Sequence, residues 1–224
     1  MAKRYKLLKS KKSYRNLRDR DTSKKNKLIA SKFSKEYFDG TRSQGYGGYY
    51  YDGRWVKIAK KLIKKFKLKK GSKVLDVGCA KGFLMHDLKK LSKNKIEVHG
   101  IDVSKYAKSR AMNSVKSKIK IMDCKKLNFK DNSFDLVIGI NVVHNLSSNL
   151  CKKSIEEIQR VSGGKAFIQV DAYRNDNELK ILKKWIVTAK TYMKPSEWKQ
   201  MFKETGYSGF YDYTILEDDK WLIK

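Results

Sequence analysis

Residues 73–84 read KVLDVGCAKGFL, from Lys73 to Leu84. Val74, Leu75 and Val77 form a short apolar run suited to a buried strand. Gly78, Ala80 and Gly82 follow, small residues where a backbone must turn tightly. Phe83, Leu84 and Leu88 then open an apolar stripe at helical spacing. Strand, small-residue loop and helix in this order suit a ligand that lies against backbone N–H groups at a helix N-terminus.

Working outward, the same alternation recurs. Ile96 to Ile101 reads as a second strand, closed by Asp102, and Ser104 is placed to cap a helix reaching about Asn113. Ile119 to Met122 is a third strand ending at Asp123, and Phe134 to Ile140 a fourth ending before Asn141. Ser148 to Val161 is helical, and Ala166 to Val170 is a fifth strand ending at Asp171. Strands alternating with helices imply an α/β fold with a largely parallel sheet. Upstream, Trp55, Ile58, Ala59, Leu62, Ile63 and Phe66 make an amphipathic stripe, with Asp52 as its expected cap. Downstream, Pro195 fits the first turn of a helix that Gly206 would end. Ser208 to Leu216 and Trp221 to Ile223 suggest two strands joined by the acidic turn Glu217–Asp218–Asp219, a closing antiparallel hairpin.

The formal charge is +30 over 224 residues. It reads either as affinity for a polyanion or as lysine-biased composition on solvated helix faces, and its even spread favours the second. Residues 1–35 are the clear compositional shift, with 14 Lys or Arg against only Asp19 and Asp21. This segment could be a disordered arm or a docked helix; Ile29, Phe33 and Tyr37 suggest a helix near 24–38. Residues 37–55, YFDGTRSQGYGGYYYDGRW, are too rich in glycine for an ordinary helix and too aromatic for a linker. They read as a loop packed on the domain, as an aromatic lid over a ligand, or as both. The expected division is a basic arm and Tyr/Gly-rich lid over 1–54 and a catalytic domain over 55–224. Cys79, Cys124 and Cys151 form no CxxC pair and no zinc spacing, so free thiols in a reducing, cytoplasmic setting are expected and no metal is. No run of 18 apolar residues is present, and the basic N-terminus lacks the apolar stretch of a secretory signal.

Five polar residues, Asp76, Asp102, Asp123, Asn141 and Asp171, punctuate the carboxyl ends of the expected strands, the edge where open α/β sheets bind ligands. From about Trp55 onward the sequence resembles the class I S-adenosylmethionine-dependent methyltransferases. The resemblance rests on VLDVGCAKG, on GIDVS with Asp102, and on MDCKKL followed by FDLVIGINVVHNL. It implies a Rossmann-like, seven-stranded, mostly parallel sheet with helices on both faces. It further implies S-adenosylmethionine as cofactor and S-adenosylhomocysteine as product. By the same resemblance Asp102 accepts from the ribose hydroxyls. Gly78, Cys79, Ala80 and Gly82 let the backbone approach the cofactor. Asp76 helps position the methionine moiety, Asp123 and Cys124 meet the adenine, and Asn141 lies near the transferred methyl. Ala80 stands where the commonest family pattern has glycine. The turn GCAKG does not match the GxGxxG dinucleotide fingerprint, which disfavours a dehydrogenase.

Methyl transfer requires alignment of nucleophile and methyl and the handling of one proton. His144 is the first candidate base or positioning group, for its near-neutral titration, and Asp171 the second. Tyr46, Tyr49, Tyr50 and Tyr51 could shield the cofactor or stack on substrate. The leading expectation is an O- or N-methyltransferase acting on a small or medium-sized metabolite. The alternative is an RNA or protein methyltransferase that uses residues 1–35 to bind; against it, the NPPY motif of base-amino methylation is absent at Asn141–His144. A non-catalytic module of the same fold is the third reading. Oligomeric state is not legible in the sequence.

Overall fold

The structure, a computed structural model, describes residues 1–8 and 20–216. Its centre is a parallel sheet. The strands are β1 (Lys3–Arg4), β2 (Lys73–Val77), β3 (Glu97–Asp102), β4 (Ile119–Ile121), β5 (Leu136–Ile140), β6 (Ala166–Asp171) and β7 (Phe210–Thr214). They lie in the order β1-β7-β6-β5-β2-β3-β4. The middle strands are apolar along nearly their whole length because both sheet faces are covered.

Helices α1 (Lys24–Ala30), α2 (Lys35–Asp39), α3 (Val56–Lys65) and α4 (Phe83–Leu91) precede β3. They are followed by α5 (Lys105–Ser109), α6 (Ser148–Ser162), α7 (Asp176–Trp185) and α8 (Pro195–Glu204). The two-residue period of the strands sorts the core. Val74, Leu136, Ile138 and Phe167 pack with Leu62 of α3 and Leu84 and Leu88 of α4. Leu75, Val77, Val137 and Ile168 pack with Ile155 and Ile158 of α6 and Trp198 and Phe202 of α8.

Strand order reverses between β2 and β5, so a crevice opens at their carboxyl ends, the place where such sheets hold ligands. Gly78 leaves β2 there, and Asn141 leaves β5 with φ of +55°, a left-handed turn that asparagine tolerates.

Four local expectations are not met among the described residues. Every strand pairing among the described residues is parallel, including β6 with β7 from Phe167↔Phe210 to Asp171↔Thr214. The closing antiparallel hairpin is not confirmed among the described residues. Helix α8 returns the chain to the start of the sheet, so β7 runs the same way as β6; the expected second strand, Trp221–Ile223, lies outside the described residues. The strand beyond β7 is instead Lys3–Arg4, parallel to it and bound through Arg4 Nε to Asp212 Oδ1 at 2.9 Å. Two residues are too short to carry a period. The helix expected over 24–38 is broken at Phe33, whose φ is +47°. Asp52 does not cap α3; its carboxylate is taken by the backbone and guanidinium of Arg54. Ser104 does cap α5, accepting from the Ala107 N–H at 2.9 Å, but that helix stops at Ser109.

Candidate active site

Gly78 turns with φ of +70°, and a Cβ on it would stand 2.3 Å from Val142 Cγ2. Glycine is thus needed for the loop after β2 to close against the loop after β5. The N–H groups of Gly78 and Cys79 both donate to the Ile101 carbonyl, at 2.8 and 3.0 Å, which ties this turn to β3. Ala80 is also left-handed, with φ of +50°, and its N–H donates to Asp102 Oδ2 at 2.8 Å. The other oxygen, Oδ1, accepts from the Ser104 N–H at 2.8 Å. Asp102 is thereby aimed over the turn, with a lone pair remaining on each oxygen. Burial pushes its carboxyl up, against the neighbouring backbone N–H groups that lower it. Asp76, one turn below, is pushed up to about 8 by burial and by the Asp102 charge. Val103, next to Asp102, leaves an apolar side chain 47% exposed. Asp123 is paired with the Lys125 ammonium at 2.9 Å and accepts from the Lys125 N–H. Cys124 and Cys79 are buried thiols whose titration burial drives upward.

The tyrosine–glycine segment lies over this turn. Tyr49 stacks on Phe83 with ring centroids 4.9 Å apart and touches Tyr46 at 4.4 Å. Tyr49, Phe38, Phe83, Ala80 and Ala107 form one buried cluster. Gly45 permits the fold-back, since a Cβ there would lie 2.0 Å from the Tyr37 carbonyl oxygen. Lys81, the lysine of the glycine turn, is 7% exposed. Its ammonium donates to both Asp39 oxygens at 2.7 and 2.8 Å and to the Tyr49 carbonyl at 2.7 Å. Tyr106 of α5 donates to the same Asp39 carboxylate at 2.7 Å, and Tyr51 donates to Asp87 at 2.6 Å. Tyr50 points away, 66% exposed.

On the β5–β6 side lies a pocket of about 120 Å³. Asn141, His144, Asn145 and Asp171 line it together with Tyr46, Arg20 and Arg42. His144 is buried, and its Nδ1 accepts from the Asp171 N–H at 3.0 Å. That bond fixes the proton on Nε2, which lies 3.5 Å from Asp171 Oδ2. Burial lowers the His144 titration, opposed by Asp171, and raises that of Asp171, opposed by His144 and Thr214. The His144 carbonyl accepts from the N–H groups of Lys190 and Thr191, holding the segment after α7 against the pocket. Arg20 donates to the carbonyls of Arg42, Gly45 and Trp185, joining lid and segment.

Asn141, His144, Asp171 and Tyr46 thus share the pocket. Gly78, Ala80, Asp102 and Tyr49 gather at the β2–β3 turn; Asp76 lies beneath it, and Tyr50 joins neither group. Sequence reasoning missed Lys81 and Asp39, whose pairing spans 42 residues, and Arg20, which belonged to a segment read for bulk charge. Asn145 adjoins His144 in NVVHNL, a signal that could have drawn it in.

The family model described as a methyltransferase domain matches residues 68–218. Among curated proteins the chain is similar to phosphoethanolamine N-methyltransferase 1 of Arabidopsis thaliana, 36% identical over 93 residues, 39% of this chain and 18% of that protein. It is also similar to an uncharacterized protein of Haemophilus influenzae, 31% identical over 145 residues, 60% of this chain and 58% of that one. The chain spans less than two thirds of the length of either relative. Among solved structures, the complex between the Haloferax volcanii Trm112 methyltransferase activator and a methyltransferase gives a TM-score of 0.55 at 21% identity, covering 66% of each chain, a likeness of fold.

Proposed function

The chain belongs to the methyltransferase-domain family of Rossmann-like class I enzymes, and from that premise we propose that it methylates an O or N atom of a small acceptor held between β5 and β6. The observation that carries the reading is the pocket of about 120 Å³ at the carboxyl ends of β5 and β6, on the same sheet edge as the turn that Gly78 makes against Val142.

The residues at that turn fit S-adenosylmethionine. Asp102 has acceptor capacity left for two ribose hydroxyls, and Val103 offers apolar surface for a base. Asp76, pushed up to about 8 for want of a positive partner, suits a cofactor that carries an ammonium and a sulfonium. Asp123 and the Cys124 backbone would meet the adenine. When bound, the cofactor supplies a methyl group already activated by sulfonium. The work left to this chain is alignment, exclusion of water and one proton transfer. Tyr46 and Tyr49 would cover the reacting groups. His144, its Nδ1 engaged, is assigned to hold Asp171, and Asp171 to take the proton.

Two observations support a small acceptor over RNA or protein. Part of the basic N-terminal segment serves the fold: Arg4 pairs with Asp212 and Leu7 is fully buried. The pocket, at about 120 Å³, is also on the scale of a small molecule. The three free, buried cysteines support a reducing compartment, and we place the protein in the cytoplasm.

Radiolabelled methyl cofactor tested against metabolite, RNA and protein fractions checks the proposal. Phosphoethanolamine, the acceptor named for the Arabidopsis relative, belongs in the metabolite panel. Label entering the small-molecule fraction is expected; label confined to RNA or protein would overturn the small-acceptor reading.

A further inference from the structure

Helices α3 and α4 end in the same way. In each, the residue after the cap turns left-handed: Lys67 with φ of +50° and Lys93 with φ of +52°. The Lys67 N–H donates to the Lys64 carbonyl and the Leu68 N–H to the Ile63 carbonyl, at 3.3 and 3.0 Å. The Lys93 N–H donates to the Lys90 carbonyl and the Asn94 N–H to the Lys89 carbonyl, at 3.1 and 2.9 Å. Such a closing turn most often holds glycine, because a Cβ is strained there. Both helices place a lysine in it instead.

The two ends form one surface at the amino ends of β2 and β3. The Gly71 N–H donates to the Lys95 carbonyl at 2.8 Å, and the Glu97 N–H to the Ser72 carbonyl at 2.9 Å. Lys67, Lys69, Lys70, Lys90, Lys93 and Lys95 are all exposed. None of them has an ion-pair partner among the described residues. Residues 66–75 and 88–96 contain no acidic residue and no arginine. At this edge Glu97 faces His99 at 4.0 Å, and Asp135 faces Lys165 at 3.9 Å. Burial, then Lys118, Lys120 and Lys73, lower the His99 titration against the pull of Glu97. A helix C-terminus favours a cation in its last turn, which accounts for Lys64 and Lys90. It does not account for lysine at the strained position itself, or for Lys69, Lys70 and Lys95 beyond it.

We propose that this amino edge of the sheet is a docking surface for the phosphate backbone of a nucleic-acid duplex. The large apolar side chains exposed among the described residues all lie outside these two loops. The surface therefore offers unpaired bases no ring to stack on and a bilayer no side chain to insert. Duplex phosphates need only positive charge, which the six lysines supply. Strands β2 and β3 run from this edge to the glycine turn and Asp102, so the duplex is an anchor on the far side of the sheet from the pocket. The proposal is independent of which acceptor the pocket takes.

Fluorescence anisotropy of the full chain tests it with a short RNA duplex and the DNA duplex of the same sequence, across about 50 to 200 mM salt. Lys67→Gly with Lys93→Gly removes two charges and relaxes both turns. This pair should raise the melting temperature, weaken duplex binding about three- to tenfold and reduce the salt slope by about two. Lys69→Gln with Lys70→Gln, away from the strained positions, should weaken binding by a similar factor. Lys183→Gln with Lys184→Gln on α7 removes the same charge elsewhere and should leave affinity within about twofold. A preference for RNA or for DNA names the source of the duplex, and either supports the proposal. A glycine pair that is more stable yet binds duplex as tightly as the parent would overturn it. So would equal losses in the α7 pair, tighter binding to phosphatidylserine vesicles than to either duplex, or no duplex binding at about 50 mM salt.

Discussion

The backbone N–H of Asp171 donates to Nδ1 of His144 at 3.0 Å, so the imidazole holds the end of β6 by its unprotonated nitrogen. A histidine used in this way acts as a strut. His144→Gln can keep an acceptor near the Asp171 N–H, whereas His144→Ala leaves it orphaned. The alanine variant should lose about 1–3 kcal/mol in chemical denaturation and the glutamine variant less. Equal losses would remove the strut role.

The pH dependence of stability follows from the same burial. The His144 titration is lowered in the folded chain, so below its free value of about 6.5 the unfolded state binds more protons and stability falls as pH falls. His144→Gln should flatten melting temperature against pH in the range below 6.5 relative to the parent. An identical slope in both proteins would contradict the neutral, buried imidazole.

Asp76 works in the opposite sense. Its carboxyl is raised to about 8 when folded and ionises near 3.9 when unfolded, so its contribution to stability declines as pH rises between those values. Asp76→Asn should therefore melt several degrees above the parent at pH 8 and close to it at pH 4. If a cationic cofactor group pairs with the carboxylate, binding at neutral pH releases a proton. Titration in buffers of different ionisation enthalpy should detect that release in the parent and lose it in Asp76→Asn.

Asp102→Ala removes an acceptor that two backbone N–H groups and the expected ribose hydroxyls share. Cofactor affinity should fall by about a hundredfold or more, from lost bonds to a charged group at roughly 1.5–3 kcal/mol each. Unchanged affinity by calorimetry would sink the cofactor assignment at this turn.

Lys81 and Asp39 form a latch between the glycine turn and the aromatic segment. Lys81→Met should cost about 1–3 kcal/mol and open residues 40–54 to limited proteolysis, because Asp39 and the Tyr49 carbonyl lose a buried charged donor. A double-mutant cycle with Asp39→Asn should show coupling between the two. A cleavage pattern identical to the parent's would mean that the latch does not hold the segment.

What was legible in the sequence follows from range. Val74–Val77 and Leu136–Ile140 announce themselves because a strand covered on both faces must be apolar throughout, and Ser104 announces α5 because capping acts over three residues. The glycine turn was readable for the same local reason. The pocket was not. Asp171 and His144 meet across 27 residues and Arg20 and Trp185 across 165, and no periodicity encodes such meetings. The run of β7 parallel to β6 was not legible either, because α8 decides which way that strand must run and the expected hairpin spoke only of its pairing with Trp221–Ile223.

The pairing of Lys3–Arg4 with Phe210–Tyr211 also has a meaning for the order in which the chain is made. Arg4 of the edge strand β1 is made 208 residues before Asp212, its partner on β7. Until then Leu7 has no finished core to enter, and Arg4 has no Asp212 to meet. This edge of the sheet is closed by strands far apart in sequence, a contact whose loop-closure entropy is among the largest between the described strands. Completion of this edge thereby waits on β7, and residues 1–8 act as its clasp.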